Sequence, residues 1–168
     1  TLARAMSYIN DPTSVSEGRL QVVQGYFELG MIEDAWNELG EIERAFPATP
    51  SIVQMRVLLM LKEERWDDAL QLSEELRRME PHGGAGYIHG AYCLHELERT
   101  EEALTLLDEA PEAVKKEAIF HYNKGCYLAA VGSVDIARSS LRRSFDLDER
   151  LLTMARKDPD LKALRDAL

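Results

Sequence analysis

Residue types that often carry enzymatic chemistry are present in this chain, beginning with neighbouring carboxylates such as Glu63-Glu64 and Glu74-Glu75. Two carboxylates act as general acid and base only where both reach the reacting group and their pKa values suit proton transfer. Adjacent residues on a helix point in different directions, so the two members of each pair do not face a common site. We interpret these pairs as solvated helix faces, and the sequence predicts no enzyme active site.

Histidine and cysteine spacing does not indicate a metal site. No two histidines stand four residues apart, the spacing that places two ligands on one helix face. The histidines are His82, His89, His95 and His121. The two cysteines, Cys93 and Cys126, lie almost one repeat apart, and we interpret them as buried thiols that pack like small apolar side chains. The glycine-rich stretch 83–86 follows a predicted helix rather than a strand, so it does not fit a dinucleotide-binding loop. We therefore expect no metal and no other cofactor.

The charge balance narrows the classes of partner. The chain has 168 residues, 30 of them acidic and 20 basic, for a formal net charge of −10. Nucleic acids and anionic membrane surfaces both favour basic proteins, so neither is an expected partner. The sequence has no apolar run long enough to cross a bilayer and no visible signal peptide, so we expect no membrane insertion and a cytoplasmic location.

Charge is also distributed unevenly along the chain. Residues 1–112 contain 22 acidic and 9 basic side chains, a net charge of −13, whereas residues 113–168 contain 8 and 11, a net charge of +3. Two interpretations stay open: the solvated faces of the two parts differ without consequence, or the asymmetry steers a charged partner.

A repeat of 34 residues sets the elements that would position any site. Its clearest column is alanine, at Ala35, Ala69, Ala103 and Ala137, with successive members 34 residues apart. Other columns share this phase. Large apolar residues stand nine positions earlier, at Tyr26, Met60, Leu94 and Leu128. Twelve positions before each alanine stand Val23, Val57, Ala91 and Gly125, whose side chains become smaller from the first repeat to the last. A period of 34 with two apolar helical patterns in each unit predicts stacked helical hairpins.

Turn and stop residues fit the same period. Gly30 and Gly132 stand where the two helices of a hairpin would be joined, and Glu64 and Glu98 replace glycine there in the two middle repeats. Prolines at positions 47 and 81 would end the second helix of the first two repeats. Acidic pairs at 33–34, 67–68 and 101–102 would open the second helices, where they favour the positive end of the helix dipole.

These columns resemble the tetratricopeptide repeat family over residues 16–149, which covers most of the chain. The resemblance implies an all-α fold, a right-handed α-solenoid of antiparallel helix pairs that forms one domain. The predicted repeats span residues 16–49, 50–83, 84–117 and 118–149. A capping helix is predicted within residues 1–15, and further capping helices within residues 150–168.

Several local expectations depart from the regular repeat. Pro111 predicts a short second helix in the third repeat, about 100–109, and a long following helix that starts near Glu112. The glycines between His82 and Gly86 predict a loop or hinge. At the C-terminal end, Leu151, Leu152 and Ala155 predict one helix. Asp158 before Pro159 predicts the N-cap of another.

In tetratricopeptide proteins the first helix of each repeat lines a concave groove that holds an extended or helical peptide. Carried over by resemblance, this property predicts a groove with apolar and aromatic side chains and a few polar groups. The candidate residues are Leu20, Gln24, Phe27, Gln54, Leu58, Leu61, Ile88, Tyr92, His95, Tyr122 and Asn123. The alternative is that some of these side chains pack beneath a neighbouring helix.

Members of the family that bind the carboxyl-terminal tails of chaperones share a clamp of lysine, asparagine and arginine. The matching positions here hold Leu20, Gln24, Met55, Ala85 and His89, so the cationic clamp is absent. We expect a protein-interaction module that binds a peptide segment or helix of a partner protein. The alternatives are a chaperone for a hydrophobic client, secreted or membrane-bound, and a scaffolding or regulatory part of a larger protein. The sequence does not indicate an oligomeric state.

Overall fold

The computed structural model describes residues 15–167, and within this range the chain forms α-helices, two 3₁₀ segments and no strand. The first helices of the hairpins are α1 (Val15–Glu28), α3 (Pro50–Lys62), α5 (Ala85–Glu96) and α7 (Ala118–Ala130). The second helices are α2 (Ile32–Ala45), α4 (Trp66–Met79), α6 (Thr100–Asp108) and α8 (Val134–Leu147). A short helix α9 (Arg150–Ala155) follows, and the 3₁₀ segments are Val114–Lys116 and Pro159–Ala167. The capping helix expected within residues 1–15 lies outside the described residues, apart from residue 15.

The helices stack as the period predicts. Each first helix packs against the second helix of its own hairpin, and successive first helices contact one another along the chain. The four alanines of the repeat column have no exposed surface, so each lies at a close contact between helices. The all-α solenoid of paired helices is therefore confirmed. None of the helices between residues 15 and 167 combines the length and apolar character needed to cross a membrane.

The turns inside the four hairpins have one backbone geometry. The residues at positions 30, 64, 98 and 132 all have a positive φ, of 75°, 58°, 61° and 82° respectively. In the first turn, the amide N–H of Met31 donates to the carbonyl of Tyr26 and that of Gly30 donates to Phe27. The same two hydrogen bonds recur in the other three turns. This is the Schellman arrangement, which satisfies helix carbonyls that would otherwise lack donors.

Local chemistry fixes the ends of several helices. α3 begins after Thr49, whose side chain accepts a hydrogen bond from the Ile52 amide, and Pro50 occupies its first position. α2 ends at Ala45 and α4 at Met79, each two residues before a proline. The predicted acidic pairs do lie in the first turn of α2, α4 and α6.

The third hairpin differs from the expectation at one point. Its second helix, α6, is short, as Pro111 predicts. The following helix does not start near Glu112, however, because a 3₁₀ turn over Val114–Lys116 intervenes and α7 begins only at Ala118. Val114 is buried in this turn and anchors the connection to the core. The loop predicted over residues 82–86 follows α4 but ends at residue 84, since α5 begins at Ala85 and includes Gly86.

Close helix approach is most evident between α7 and α8. A Cβ added to Gly125 would lie 2.7 Å from the Leu141 Cγ atom and 3.2 Å from the carbonyl oxygen of Ala137. The shrinking of this column from valine to glycine therefore has a steric cause in the fourth hairpin. Without a side chain at 125, Leu141 packs directly onto the backbone of α7.

Candidate functional site

An open cleft lies on the side of the first helices, and we call it the inner cleft. It is lined by α1, the first half of α3, the loop between α4 and α5, and the connection between α6 and α7. Its volume is about 690 Å³. The N-terminal ends of α1, α3 and α5 border it through residues 16, 51 and 85, and residue 117 borders it directly before α7.

Apolar side chains form the floor of the inner cleft, and polar ones form its walls. Leu20, Met55 and Leu58 contribute to the floor and are themselves at least nine-tenths buried. The walls carry hydroxyl and amide groups at Ser16, Gln21, Gln24, Thr49, Ser51 and Gln54. Such groups bond equally well to peptide carbonyls and amides.

The inner cleft is acidic. Glu17, Glu80 and Glu117 line it, together with the exposed His82. Among the described lining residues there is no lysine and no arginine. The carboxylates therefore set a negative potential in a recess with an apolar floor, which favours a cationic ligand.

Of the predicted groove residues, Gln24, Gln54 and His95 are partly exposed. Gln24 and Gln54 lie in the inner cleft, where Gln24 Nε2 also donates to Glu28 Oε1 at 2.8 Å. Leu20 and Leu58 lie in the cleft floor. The structure thus brings together four of the six predicted residues of the first two repeats at one site, and Phe27 and Leu61 are not part of it.

Eight of the eleven predicted side chains are buried, and six of these lie outside the lining of the inner cleft. The buried residues are Leu20, Phe27, Leu58, Leu61, Ile88, Tyr92, Tyr122 and Asn123. The reason is clearest for α5, which packs against α3, α4, α6 and α7 and so has little free surface. The Tyr92 ring, for example, packs edge-on against Trp66 of α4 with their centroids 5.8 Å apart.

Side chains of the last two repeats are covered by the C-terminal part of the chain. The Tyr122 hydroxyl donates to Asp158 Oδ2 at 2.8 Å, and Cys126 Sγ lies 4.0 Å from the same oxygen. His95 Nε2 lies 3.4 Å from Asp160 Oδ2. Sequence reasoning predicted the helix start at Asp158, which is confirmed by its hydrogen bond from the Asp160 amide. It missed the contact with α5 and α7, although Leu161 and Leu164, three residues apart, signal an apolar face.

Two buried polar side chains occupy equivalent positions in the third and fourth repeats. His89 and Asn123 are 34 residues apart, and both are fully buried. Neither ring nitrogen of His89 and neither amide atom of Asn123 has a hydrogen-bond partner within the described part of the chain. Burial lowers the pKa of His89 to about 4, so the ring is neutral at pH 7.

Metal binding and thiol chemistry have no support in the described residues. Between residues 15 and 167 no three side chains of histidine, cysteine, aspartate or glutamate come together in a way that could hold a metal ion. Cys93 and Cys126 are buried, and they form no disulfide with each other. Burial raises the pKa of the Cys93 thiol to about 12, which keeps it in the unreactive protonated form.

Comparison with known proteins finds a partial similarity in sequence and a similarity in fold. A sequence model described as tetratricopeptide repeat matches residues 60–122. No curated protein sequence matches the chain significantly.

Solved structures with this fold include TTC0263, a thermophilic TPR protein of Thermus thermophilus. It is 22% identical, with a TM-score of 0.73 over 92% of this chain and 90% of that one. MamA from Desulfovibrio magneticus, from residue 41 to its end, is 15% identical, with a TM-score of 0.66 over 84% and 80%. YrrB, described as a TPR protein with an unusual peptide-binding site, is 19% identical, with a TM-score of 0.64 over 86% and 75%.

At these identities the solved structures establish the fold. The sequence match in the middle of the chain and the recurring hairpin geometry on both sides of it agree with that fold. Residues 60–122 match the tetratricopeptide repeat in sequence, and the described chain has the fold of tetratricopeptide repeat proteins.

Proposed function

We propose that this protein is an interaction module whose inner cleft binds a segment of a partner protein that carries both apolar and basic side chains. The observation that carries the proposal is the composition of the cleft: an apolar floor, walls of amides and hydroxyls, and three carboxylates without a lysine or arginine among the described lining residues.

The dimensions of the cleft suit a short peptide segment. A volume of about 690 Å³ falls within the range of roughly 300–1,000 Å³ that is typical of ligand sites. Gln21 and Ser51 are exposed and can bond a peptide backbone, while Leu20 and Met55 offer contacts to an apolar side chain. Glu17, Glu80 and Glu117 would select basic residues that flank the apolar one.

The family supports the same class of function. One of the proteins with this fold, YrrB, is described as having a peptide-binding site. The excess of negative charge over residues 1–112, which supply most of the cleft lining, would also attract a cationic segment from a distance.

Selection from a displayed library of random peptides tests the proposal. We expect the recovered peptides to combine leucine-like with lysine or arginine residues. A cleft variant, Ser51→Lys with Glu80→Lys, should bind them about tenfold more weakly or worse, because two lysines cancel the charge of the two remaining carboxylates, Glu17 and Glu117. Both positions are exposed, so the variant should fold normally.

The matched control is Asn37→Lys with Glu33→Lys, two exposed residues of α2 outside the cleft lining. It changes the net charge by the same amount and should keep binding close to that of the unmodified protein. Equal weakening in both variants would show that total charge, not the inner cleft, governs binding. Recovery of peptides without basic residues would contradict the proposed specificity.

A further inference from the structure

The C-terminal segment, defined here as residues 158–164, lies on the inner side of the third and fourth repeats. It follows α9 and contacts α7, and through Asp160 it reaches His95 at the end of α5. No described residue of this segment lines the inner cleft, so the two occupy different parts of the inner side.

Polar contacts fix one end of the segment. Asp158 is 1% exposed and accepts a hydrogen bond from the hydroxyl of Tyr122, which is fully buried. A buried carboxylate is costly unless it is bonded, so this hydrogen bond favours an acidic residue at this point. The His95 ring adds a second contact to Asp160 and also lies 3.0 Å from the Thr100 hydroxyl.

Apolar contacts fix the other end. Leu161 and Leu164 are 0% and 4% exposed, and they belong to the same core cluster as Ile88, Tyr122 and Cys126. The segment packs mainly against a face of α7, and the cluster that it joins also contains residues of α5, α6, α8 and α9. An acidic residue, a leucine three positions later and a leucine six positions later complement this face.

The internal structure of the segment contributes little to its placement. It is 3₁₀-helical, a conformation with poorer hydrogen-bond geometry than the α-helix. Exposed residues at 156 and 157 connect it to α9. The segment is thus held mainly by its contacts with α7 and by the contact of Asp160 with His95 of α5, which a second chain of the same chemistry could make equally well.

We propose that this face is a second protein-binding site, specific for a partner segment with an acidic residue followed by leucines at the third and sixth positions, and that residues 158–164 compete with this partner within the same chain. The site goes beyond the inner cleft and its proposed ligand, and shares no described residue with the cleft lining. A tethered competitor acts at an effective concentration of the order of millimolar, so it masks the face until a partner binds more tightly.

Release of the segment in the 168-residue chain tests the proposal. In the variant Leu161→Ser with Leu164→Ser, a fluorescently labelled synthetic peptide of residues 157–168 should bind at least about tenfold more tightly than it binds the unmodified protein, because the competitor is weakened. Binding is measured by fluorescence anisotropy. A peptide with asparagine in place of Asp158 should bind more weakly, and so should a released variant that also carries Tyr122→Phe.

A released variant that is folded and helical but does not bind the peptide overturns the proposal. Equal affinity of the peptide for the released and unmodified proteins overturns it as well. The cleft substitutions Ser51→Lys and Glu80→Lys should leave this binding unchanged, so failure here and failure of the inner cleft are distinguishable.

Amide hydrogen exchange in the unmodified protein tests the proposal independently, so a result is obtained even if the released variant does not fold. A competitor must detach while the repeats stay folded, so the amides of residues 160–164 should exchange at least about tenfold faster than those of α7. Exchange of both at the same rate would show that the segment opens only with the whole fourth repeat. That result would make it a permanent cap and overturn the proposal.

Discussion

Single residues with unusual backbone conformations mark every hairpin turn in this protein. Glycine occupies the left-handed position in the first and fourth repeats, whereas Glu64 and Glu98 adopt it in the second and third with φ of 58° and 61°. For a residue with a Cβ atom this conformation costs roughly 1–2 kcal/mol. The Schellman hydrogen bonds of the turn stabilise the chain enough to hold the two glutamates there.

Replacing either glutamate by glycine should therefore stabilise the fold. We expect Glu64→Gly and Glu98→Gly each to raise the free energy of unfolding by about 0.5–1 kcal/mol, since the relief of strain exceeds the added entropy of the unfolded chain. Urea denaturation followed by circular dichroism measures the change. The control is Glu63→Gly, one residue earlier, where φ is −91° and glycine relieves no strain. A gain as large in the control would show that conformation at 64 is not the cause.

The burial of His89 also lowers the stability of the fold, because its ring nitrogens lack hydrogen-bond partners within the described part of the chain. Its pKa is lowered from 6.5 to about 4 by burial, so below pH 6.5 the unfolded chain binds a proton that the folded chain does not. The stability that depends on neutral His89 is consequently greatest above pH 6.5 and falls as the pH drops toward 4. The shift corresponds to a loss of about 3 kcal/mol across that window.

Removing the imidazole should remove this part of the pH dependence. Met55 occupies the equivalent position one repeat earlier, which makes His89→Met a substitution of suitable shape. We expect the free energy of unfolding of His89→Met to fall less between pH 7 and pH 4.5 than that of the unmodified protein. The exposed His82, changed to methionine, serves as the control and should keep the original pH profile. An unchanged profile in His89→Met would assign the acid sensitivity to other groups.

At the scale of elements, small residues decide how closely paired helices pack. Gly125 allows Leu141 of α8 to rest on α7, since even one methyl group would come within 2.7 Å of it. Gly25, by contrast, lies in α1 with nothing within 4 Å of an added Cβ. Both glycines thus lie within a helix, but only Gly125 is closely packed against a neighbouring helix.

The same substitution at these two glycines should have opposite effects. We expect Gly125→Ala to lower the free energy of unfolding by about 1–3 kcal/mol through overpacking. Gly25→Ala should raise it by up to about 1 kcal/mol, because alanine is the better helix former and meets no obstacle. Thermal and urea unfolding of both variants measure the difference. Destabilisation by both would mean that packing at α7 and α8 is not the deciding factor.

The repeat columns predicted these elements well because they depend on local spacing. The alanine column and the turn positions at 30, 64, 98 and 132 follow from residues within one hairpin, and both predictions agree with the structure. Exposure was predicted poorly. Whether Ile88 faces a groove or a neighbouring helix depends on how four helices surround α5, which spacing along one helix does not encode. The contact between Tyr122 and Asp158 joins residues 36 positions apart and follows no repeat.

At the scale of the whole molecule, the core is divided into two main clusters. One unites the first two repeats and includes Tyr92 and Cys93 of α5, and the other unites the last two repeats with Leu161 and Leu164. The contact between α4 and α5 joins them, and Leu70 of α4 packs against both. In a solenoid, cooperativity depends on such interfaces between neighbouring units.

Gly86 is the residue on which this central interface depends. A Cβ added there would lie 2.8 Å from the carbonyl oxygen of Ser73 and 2.9 Å from the amide nitrogen of Arg77, both backbone atoms of α4. Backbone gives way less readily than a side chain, so Gly86→Ala should push α5 away from α4. We expect this to weaken the coupling between the two clusters more than it weakens either cluster alone.

Two spectroscopic signals can distinguish the unfolding of the first core cluster from the unfolding of the whole chain. Both tryptophans of the chain, Trp36 and Trp66, pack against the cluster of the first two repeats, whereas circular dichroism reports all helices. In the unmodified protein the two signals should follow the same urea transition. In Gly86→Ala the tryptophan fluorescence transition should move away from the circular dichroism transition, because the halves no longer unfold together. Gly18→Ala, an exposed site with nothing within 4 Å of an added Cβ, is the control and should keep the curves coincident. Coincident curves in Gly86→Ala, shifted to lower urea as one, would show that the two clusters unfold as a single unit despite the weakened interface.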